Sequence, residues 1–373
     1  MYFAGLDAHL KYVSIAVLDR RGQVALETSV STREPEQLLA ALAPYRPLEV
    51  VVETCPFWPW LYDLLVPAGI GFHLAHAKQL RAIAAAPQKS DAVDARLLAR
   101  MLLAGLIPEA YPRPADQREL LRLLRHRTTL VRYRTRLAGR IHSQLHQQRL
   151  SLPREKLLRQ ATRAWLEETA WPRLTVEQQA IVTTHLELID GLTPLVQALE
   201  RRIATAAAGH ATAPLLATIP GIGPYRSLLL AAELSPITRF PRAEHLVSYA
   251  GLAPVTRSSG GHTHHGSIPQ GANRWVRGAL VSAIPTHVRW APTSPVTMAY
   301  AQLKARLGWR VARVAAARKL ARVVYVMLTR RTPWCGGPGG WRRQGRGPKL
   351  TCRCDDLILL IDPSRSYSQI MRH

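Results

Sequence analysis

The chain of 373 residues is 47% hydrophobic and 20% charged, which supplies enough apolar side chains for sizeable cores and excludes a mainly disordered protein. Lysine and arginine number 50 against 25 acidic residues, a formal charge of +25, and a chain this basic is expected to meet a polyanion. Four cysteines are too few for a disulfide framework, the start at Met1–Asp7 lacks the features of a secretory signal, and no run approaches the ~20 apolar residues that cross a bilayer.

A reducing cytoplasm, and the nucleoid within it, is the expected compartment, with no membrane partner. The charge is also lopsided. Residues 1–112 carry 10 Lys/Arg and 11 Asp/Glu, net −1, and the remainder carries 40 and 14, net +26. A near-neutral domain is thus followed by a cationic body that suits a nucleic-acid-gripping scaffold.

In chain order, β-rich runs at 2–7, 12–19 and 23–30 predict a three-strand antiparallel meander. A helix from Pro35 to Tyr45, a buried strand over 49–54, a helix over 58–66, a strand over 71–76 and a helix over 91–104 complete an α/β domain, 1–112. Residues 115–150 predict one long helix. Its apolar positions recur every seven residues at Leu123/Leu124, Leu130/Val131, Leu137/Ala138 and Leu145, the seam of a coiled coil or helical hairpin. Arg122, Arg125, Arg127, Arg132, Arg134, Arg136 and Arg140 surround it. They form either a solvated face or, with so little acid to oppose them, a phosphate-binding one. Further helices over 155–208 are expected to return antiparallel, closing a basic helical domain, 113–210. A third unit, 211–331, is mostly helical and ends on an amphipathic helix near 310–329. The last stretch, 332–373, is a Gly/Arg-rich tail.

Four carboxylates of the first domain form a candidate set. Asp7 lies on the first strand, Glu53 ends the Val-rich strand, and Asp91 and Asp94 share one face of a helix. Converging carboxylates repel, and a hard divalent cation such as Mg²⁺ relieves the repulsion while keeping positions open for phosphate oxygens. The competing reading makes them cap and surface acids. It is plausible for Asp91 and Asp94 in a first helical turn and weaker for Asp7 inside an apolar strand. Pro220-Gly221-Ile222-Gly223 sits between helical segments, and such a turn either joins two helices or, as a helix-hairpin-helix, points N–H groups at a DNA phosphate. Further on, Arg257-Ser258-Ser259-Gly260-Gly261 reads as a Gly-rich, Arg-flanked loop whose serines bind phosphate, attack it or do neither. It is followed by Gly271-Ala272-Asn273-Arg274 and a helix containing Arg277. His262, His264 and His265, and Cys335, Cys352 and Cys354, lack the spacing of a metal site.

Together these motifs resemble the DEDD transposases of the insertion-sequence family numbered one hundred and ten, which includes the Piv-type invertases. Gly5-Leu6-Asp7-Ala8-His9-Leu10-Lys11, Val52-Glu53-Thr54 and Lys89-Ser90-Asp91-Ala92-Val93-Asp94-Ala95 are similar to the family's acidic motifs. Ile219–Pro224, Ser248–Pro254 and Ser258-Ser259-Gly260 look like its C-terminal domain, in the family's order. The likeness covers about residues 2–330. It departs at Cys55-Pro56, where the family carries glycine, and at Ile268-Pro269-Gln270, where it carries Ser/Thr-Lys. The resemblance implies a fold of α/β plus all-α class: a RuvC-like, ribonuclease-H-type N-terminal domain, a central coiled coil, and a mostly helical C-terminal domain with a helix-hairpin-helix-like turn. It also implies Mg²⁺ on Asp7, Glu53, Asp91 and Asp94, with Ser259, the serine directly before glycine, becoming joined to DNA. Gly221, Gly223, Arg257, Arg122, Arg125, Arg132, Arg136, Arg274 and Arg277 are the expected nucleic-acid contacts. A structured bridge RNA and assembly as a homodimer or tetramer through the helical middle are implied as well. Two other readings stay open on the residues: a junction-resolving endonuclease in which water is the nucleophile, and a non-enzymatic nucleic-acid-binding protein.

Overall fold

The computed structural model describes residues 1–83, 90–152, 160–253, 256–259, 262–265 and 271–336. Lys89, Gly260, Gly261, Ile268-Pro269-Gln270 and the tail from Gly337, with Cys352 and Cys354, lie outside the described residues. The chain divides into two compact units, Met1–Glu119 and Leu120–His373.

The first unit is built on a six-stranded sheet of order β3-β2-β1-β4-β5-β6. Strands β1 (Tyr2–Ala8), β2 (Tyr12–Leu18) and β3 (Val24–Ser31) form the expected meander. After α1 (Pro35–Leu42), β4 (Leu48–Glu53) adds parallel to β1, and after α2 (Trp58–Leu65), β5 (Gly71–Ala75) adds parallel to β4. Parallel neighbours need such crossovers, and α1 and α2 provide them. Two elements gave no clear sequence signal: α3 (Ala77–Ile83), and β6 (Glu109–Ala110), which follows α4 (Asp91–Leu103) and pairs antiparallel to β5. His73 ties this edge together, with Nδ1 2.7 Å from Glu109 and Nε2 3.0 Å from Glu49.

Side chains alternate across the sheet. Leu6, Val50 and Val52 join Leu38, Leu42, Leu61 and Leu65 in one core. Val51 and Ala75 join Leu98, Met101 and Leu102 of α4 on the other face, with Phe3 packed against them. Phe3, Gly5 and Asp7 therefore face α4. Gly5 lets that helix come unusually close: a Cβ there would stand 2.0 Å from the Ala95 carbonyl oxygen and 2.6 Å from the Ala99 nitrogen. Arg96 clamps the helix to β3 through a bidentate pair with Glu27, one contact being 2.7 Å.

The second unit opens on the long helix expected from the heptads, α5 (Ala115–Gln147), whose first residues belong to the first unit. Then come α6 (Gln160–Trp165) and α7 (Val176–Gly209), the latter started by a Thr175/Gln178 capping box. Leu121 and Leu124 share a core with Ile203 and Ala207, and Ile141 and Leu145 share another with Val182 and Ile189. The two helices thus run antiparallel, as expected. On α7 the buried residues Val182, Ile189, Val196 and Ile203 recur every seven positions, the spacing of a left-handed seam.

The rest is mostly helical: α8 (Ala213–Ala217), α9 (Pro224–Leu234), α10 (Ala243–Tyr249), α11 (Arg274–Trp290) and α12 (Pro295–Arg330). The helix expected near 310–329 is the part of α12 that follows a break at Gly308, whose φ is 77°, and a separately capped part begins after Ser294. One expectation needs correction. The stretch expected as a loop around Ser259 is a two-stranded antiparallel hairpin, β7 (Thr256–Ser259) and β8 (His262–His265). A Gly-Gly pair between short runs is a hairpin signal, which the polar composition of those runs hides.

Candidate active site

Asp7 sits next to the C-terminal end of β1, beside the end of β4, where Leu6 pairs with Val52. The next residue on β4 is Glu53, which by strand alternation faces the same side as Asp7. Ser90 caps α4 by accepting from the Val93 N–H at 3.4 Å, which puts Asp91 and Asp94 in the first turn. Asp7, His9 and Asp91 meet: His9 Nε2 lies 3.0 Å from Asp7 Oδ2 and 3.4 Å from Asp91 Oδ1. Among the described residues these three form a group with ligand atoms within 4.8 Å of one another. The Tyr12 hydroxyl donates to Asp91 Oδ2 at 2.7 Å. Glu53 and Asp94 border this group without belonging to it.

Burial pushes the Asp7 carboxyl above its ordinary value; the His9 hydrogen bond and charge oppose this, and Asp91 and Asp94 add to it. Burial also raises the Cys55 thiol, with Glu53 and Asp7 contributing through their charges, so the two acids act on one neighbourhood. A half-buried carboxylate repelled by two others, with an imidazole nitrogen between two of them, is a donor set that fits a divalent cation. Asp7, Asp91 and His9 would hold it, with Asp94 and Glu53 at its margin.

In the second unit a short turn containing Gly221 joins α8 to α9. Gly221 has φ 92°, and a Cβ there would lie 2.5 Å from the Ala283 carbonyl oxygen. The close approach that this glycine permits is therefore to α11. Gly223 is the exposed N-terminal cap of α9, with open space beside it. Ser259 pairs in backbone register with His262, and Arg257 with His264.

Residues 4–149 match the profile of the IS110-type DEDD transposases, and residues 213–301 match the one described as "Transposase IS116/IS110/IS902 family". The chain belongs to the IS110 family of transposases. Similar proteins include the "Transposase for insertion sequence element IS1328" of Yersinia enterocolitica, 25% identical over 88% of this chain and 97% of that one. The "Transposase for insertion sequence element IS1111A" of Coxiella burnetii is 24% identical over 89% and 91%. An "Insertion element IS110 uncharacterized 43.6 kDa protein" of Streptomyces coelicolor is 40% identical, but over 22% of this chain and 21% of its own length. The transposase is accordingly an enzyme acting on DNA for an insertion sequence. None of its described helices is long and apolar enough to cross a membrane.

The arginines expected to grip nucleic acid fall into two groups in this transposase. Arg122, Arg132, Arg136 and Arg274 are exposed, and Arg277 is half-buried. Arg125 has a structural partner: its Nη2 donates at 2.7 Å to Glu233, which is fully buried. Arg127 pairs with Glu200 and lies over Tyr225, 4.7 Å from the ring centre. Glu233 also accepts from Asn273 Nδ2 at 2.8 Å, and the same amide donates to the Tyr249 hydroxyl. The Asn273 side-chain oxygen caps α11, and its backbone N–H reaches the Tyr249 carbonyl at 2.8 Å. This network pins together the two ends of the segment that carries β7 and β8. Sequence reasoning missed His9 and Tyr12. The Asp7-x-His9 spacing at a strand end, which puts both residues on one face, was the available signal for His9.

Proposed function

We propose that this transposase cuts and rejoins DNA through a covalent serine intermediate, with Mg²⁺ bound at the Asp7 end of the sheet and a bridge RNA choosing the sites. The observation that carries the reading is the meeting of Asp7, His9 and Asp91 at the sheet end, in a chain whose matched profile is of the DEDD type. The sheet order, with a meander followed by two parallel strands, supports a RuvC-like domain over about 1–112. A basic helical middle (113–210), a transposase domain (211–331) and a tail (332–373) complete the proposed division.

When bound, the ion supplies positive charge to the scissile phosphate and lowers the cost of its developing negative charge. Asp7, His9 and Asp91 would hold it, and Tyr12 orients the Asp91 carboxylate. Ser259 Oγ forms a bond to phosphorus as the bond from phosphorus to the departing sugar oxygen breaks, and the serine proton goes to that oxygen. The phosphoserine ester conserves the bond for rejoining. The carboxylates belong to one compact unit and Ser259 to the other, so the reaction requires both. Exposed Ile181, Leu188 and Leu195 recur every seven residues on α7, which supports assembly through the helical middle.

The experiment is denaturing-gel analysis with labelled element-end DNA, Mg²⁺ and guide RNA. Asp7→Asn should lose cleavage and keep DNA binding. Ser259→Ala should lose the protein–DNA adduct, and Ser258→Ala should keep it. An adduct persisting in Ser259→Ala removes the serine assignment. Clean hydrolysis by the unsubstituted protein, without adduct, favours the endonuclease reading.

A further inference from the structure

A cavity of about 540 Å³ opens in the second unit between α5, α7, α9 and α11. It lies within the ~300–1,000 Å³ range of small-molecule sites and is far larger than one phosphate group needs. Its walls are of two kinds. Ile203, Leu229 and Ala279 make an apolar side, flanked by the rings of Tyr225 and Trp275. Arg127, Arg132, Arg226 and Arg274 face it against a single carboxylate, Glu200, which Arg127 already engages.

The arginines are held ready for an anion. Arg132 lies 5.4 Å from the centre of the Trp275 ring. Arg226 donates to the Gly221 carbonyl at 2.9 Å and to Ser282 Oγ at 3.1 Å, both neutral acceptors. Burial, with Arg127 and Arg313 nearby, pushes its guanidinium below the ordinary value, the mark of a cation short of negative charge. The N-termini of α9 and α11, at Gly223 and Arg274, line the same cavity and add the positive ends of two helices.

We infer that this cavity receives one unpaired nucleotide of a nucleic-acid strand, its base on the apolar and aromatic side and its phosphate among the arginines. A phosphate clamp for duplex DNA would need only a surface, whereas a depth lined by aromatic rings suits a base that has left its stack. The inference deepens the reading that this unit grips nucleic acid and rests on it. It assigns Tyr225, Trp275 and Arg226, none of which charge or motif had singled out.

Gly278 gives a direct test. It lines the cavity, and a Cβ there meets nothing within 4 Å, so Gly278→Leu fills the space without disturbing charge. Arg274→Gln, at an exposed position, removes one anion contact as an independent variant. Full-length protein is titrated with labelled 12-nucleotide single-stranded DNA, the same sequence as RNA, and the 12-base-pair duplex, and each variant's fold is checked by thermal unfolding. Both variants should bind the single strand at least tenfold more weakly, and Gly278→Leu should hold the duplex within twofold. The strand type that loses more, DNA or RNA, is the source of the nucleotide. A folded Gly278→Leu protein with unchanged single-strand affinity overturns the inference alone, as does an equal loss for single strand and duplex. An unsubstituted protein that binds none of the three probes overturns it together with the nucleic-acid reading on which it rests.

Discussion

Replacing Gly5 by alanine adds one methyl group at the point where α4 lies on β1. That methyl would start 2.0 Å from the Ala95 oxygen, 2.6 Å from the Ala99 nitrogen and 2.8 Å from Leu98 Cβ. Two of the three are backbone, so no side chain can swing away. The helix must retreat by roughly 1.4 Å to restore ordinary contact. Overpacking of this kind costs about 1–3 kcal/mol, and more where backbone must move. The retreat also carries Asp91 away from Asp7 and His9. A misplacement near 1 Å costs on the order of a hundredfold in rate where geometry is catalytic. Gly5→Ala should therefore lower the unfolding midpoint of the first unit, weaken divalent-ion binding measured with Mn²⁺ by electron paramagnetic resonance, and slow cleavage far more than it lowers stability. Gly139→Ala is the control for a methyl group added without a clash, since a Cβ there meets nothing within 4 Å. A Gly5→Ala protein with unchanged Mn²⁺ affinity and cleavage would show that the closeness of α4 to β1 does not set the site.

Three further outcomes are expected. His287 is fully buried, with Nδ1 3.0 Å from the Pro220 carbonyl oxygen and Nε2 2.8 Å from Ser294 Oγ, and burial lowers its pKa. A depressed pKa means that the unfolded chain takes up the proton first as pH falls below about 6.5. Stability is thus fully present above that pH and declines toward the lowered value, by up to about 1.4 kcal/mol per pH unit. His287→Gln should reduce this loss in thermal melts between pH 7.5 and 5, and an identical loss in the variant would refute the assignment. Arg125→Ala takes one cation away from the fully buried Glu233 and should cost about 3 kcal/mol in denaturant unfolding, whereas Arg125→Met with Glu233→Leu should recover part of that. Leu188→Lys with Leu195→Lys, on the exposed stripe of α7, should shift the oligomer toward monomer in analytical ultracentrifugation while leaving the melting midpoint nearly unchanged.

The sequence was most legible where local pattern and burial coincide. The meander, the Val50–Val52 strand and the heptads of α5 all carry their periodicity in plain view. The matching heptad on α7 was equally available at Val182, Ile189, Val196 and Ile203, but only its pairing with α5 gives it meaning. The acids Asp7 and Asp91 were readable, while Tyr12 was not, because its hydrogen bond joins residues 79 apart. Arg125 and Arg127 looked like part of a uniform basic face. Their acids, Glu233 and Glu200, lie 108 and 73 residues away, and a charge count cannot see such pairings. Gly221 lies close to the backbone of α11, a neighbour to which the turn motif gives no clue.

The pinning of Tyr249 to Asn273 has a consequence for how this protein tolerates change. Two hydrogen bonds of 2.8 Å join these residues, and Ala250 and Leu252, which follow Tyr249, are still buried in the helical core before β7 begins. The ends of the segment are thus held by groups inside the core. Lengthening the connection beyond Ala253 should then cost mainly loop-closure entropy, about 0.6 kcal/mol for each doubling of length. Such a change should come at little expense to folding, provided that the asparagine and tyrosine stay, while the proposed chemistry still requires Ser259 in its place.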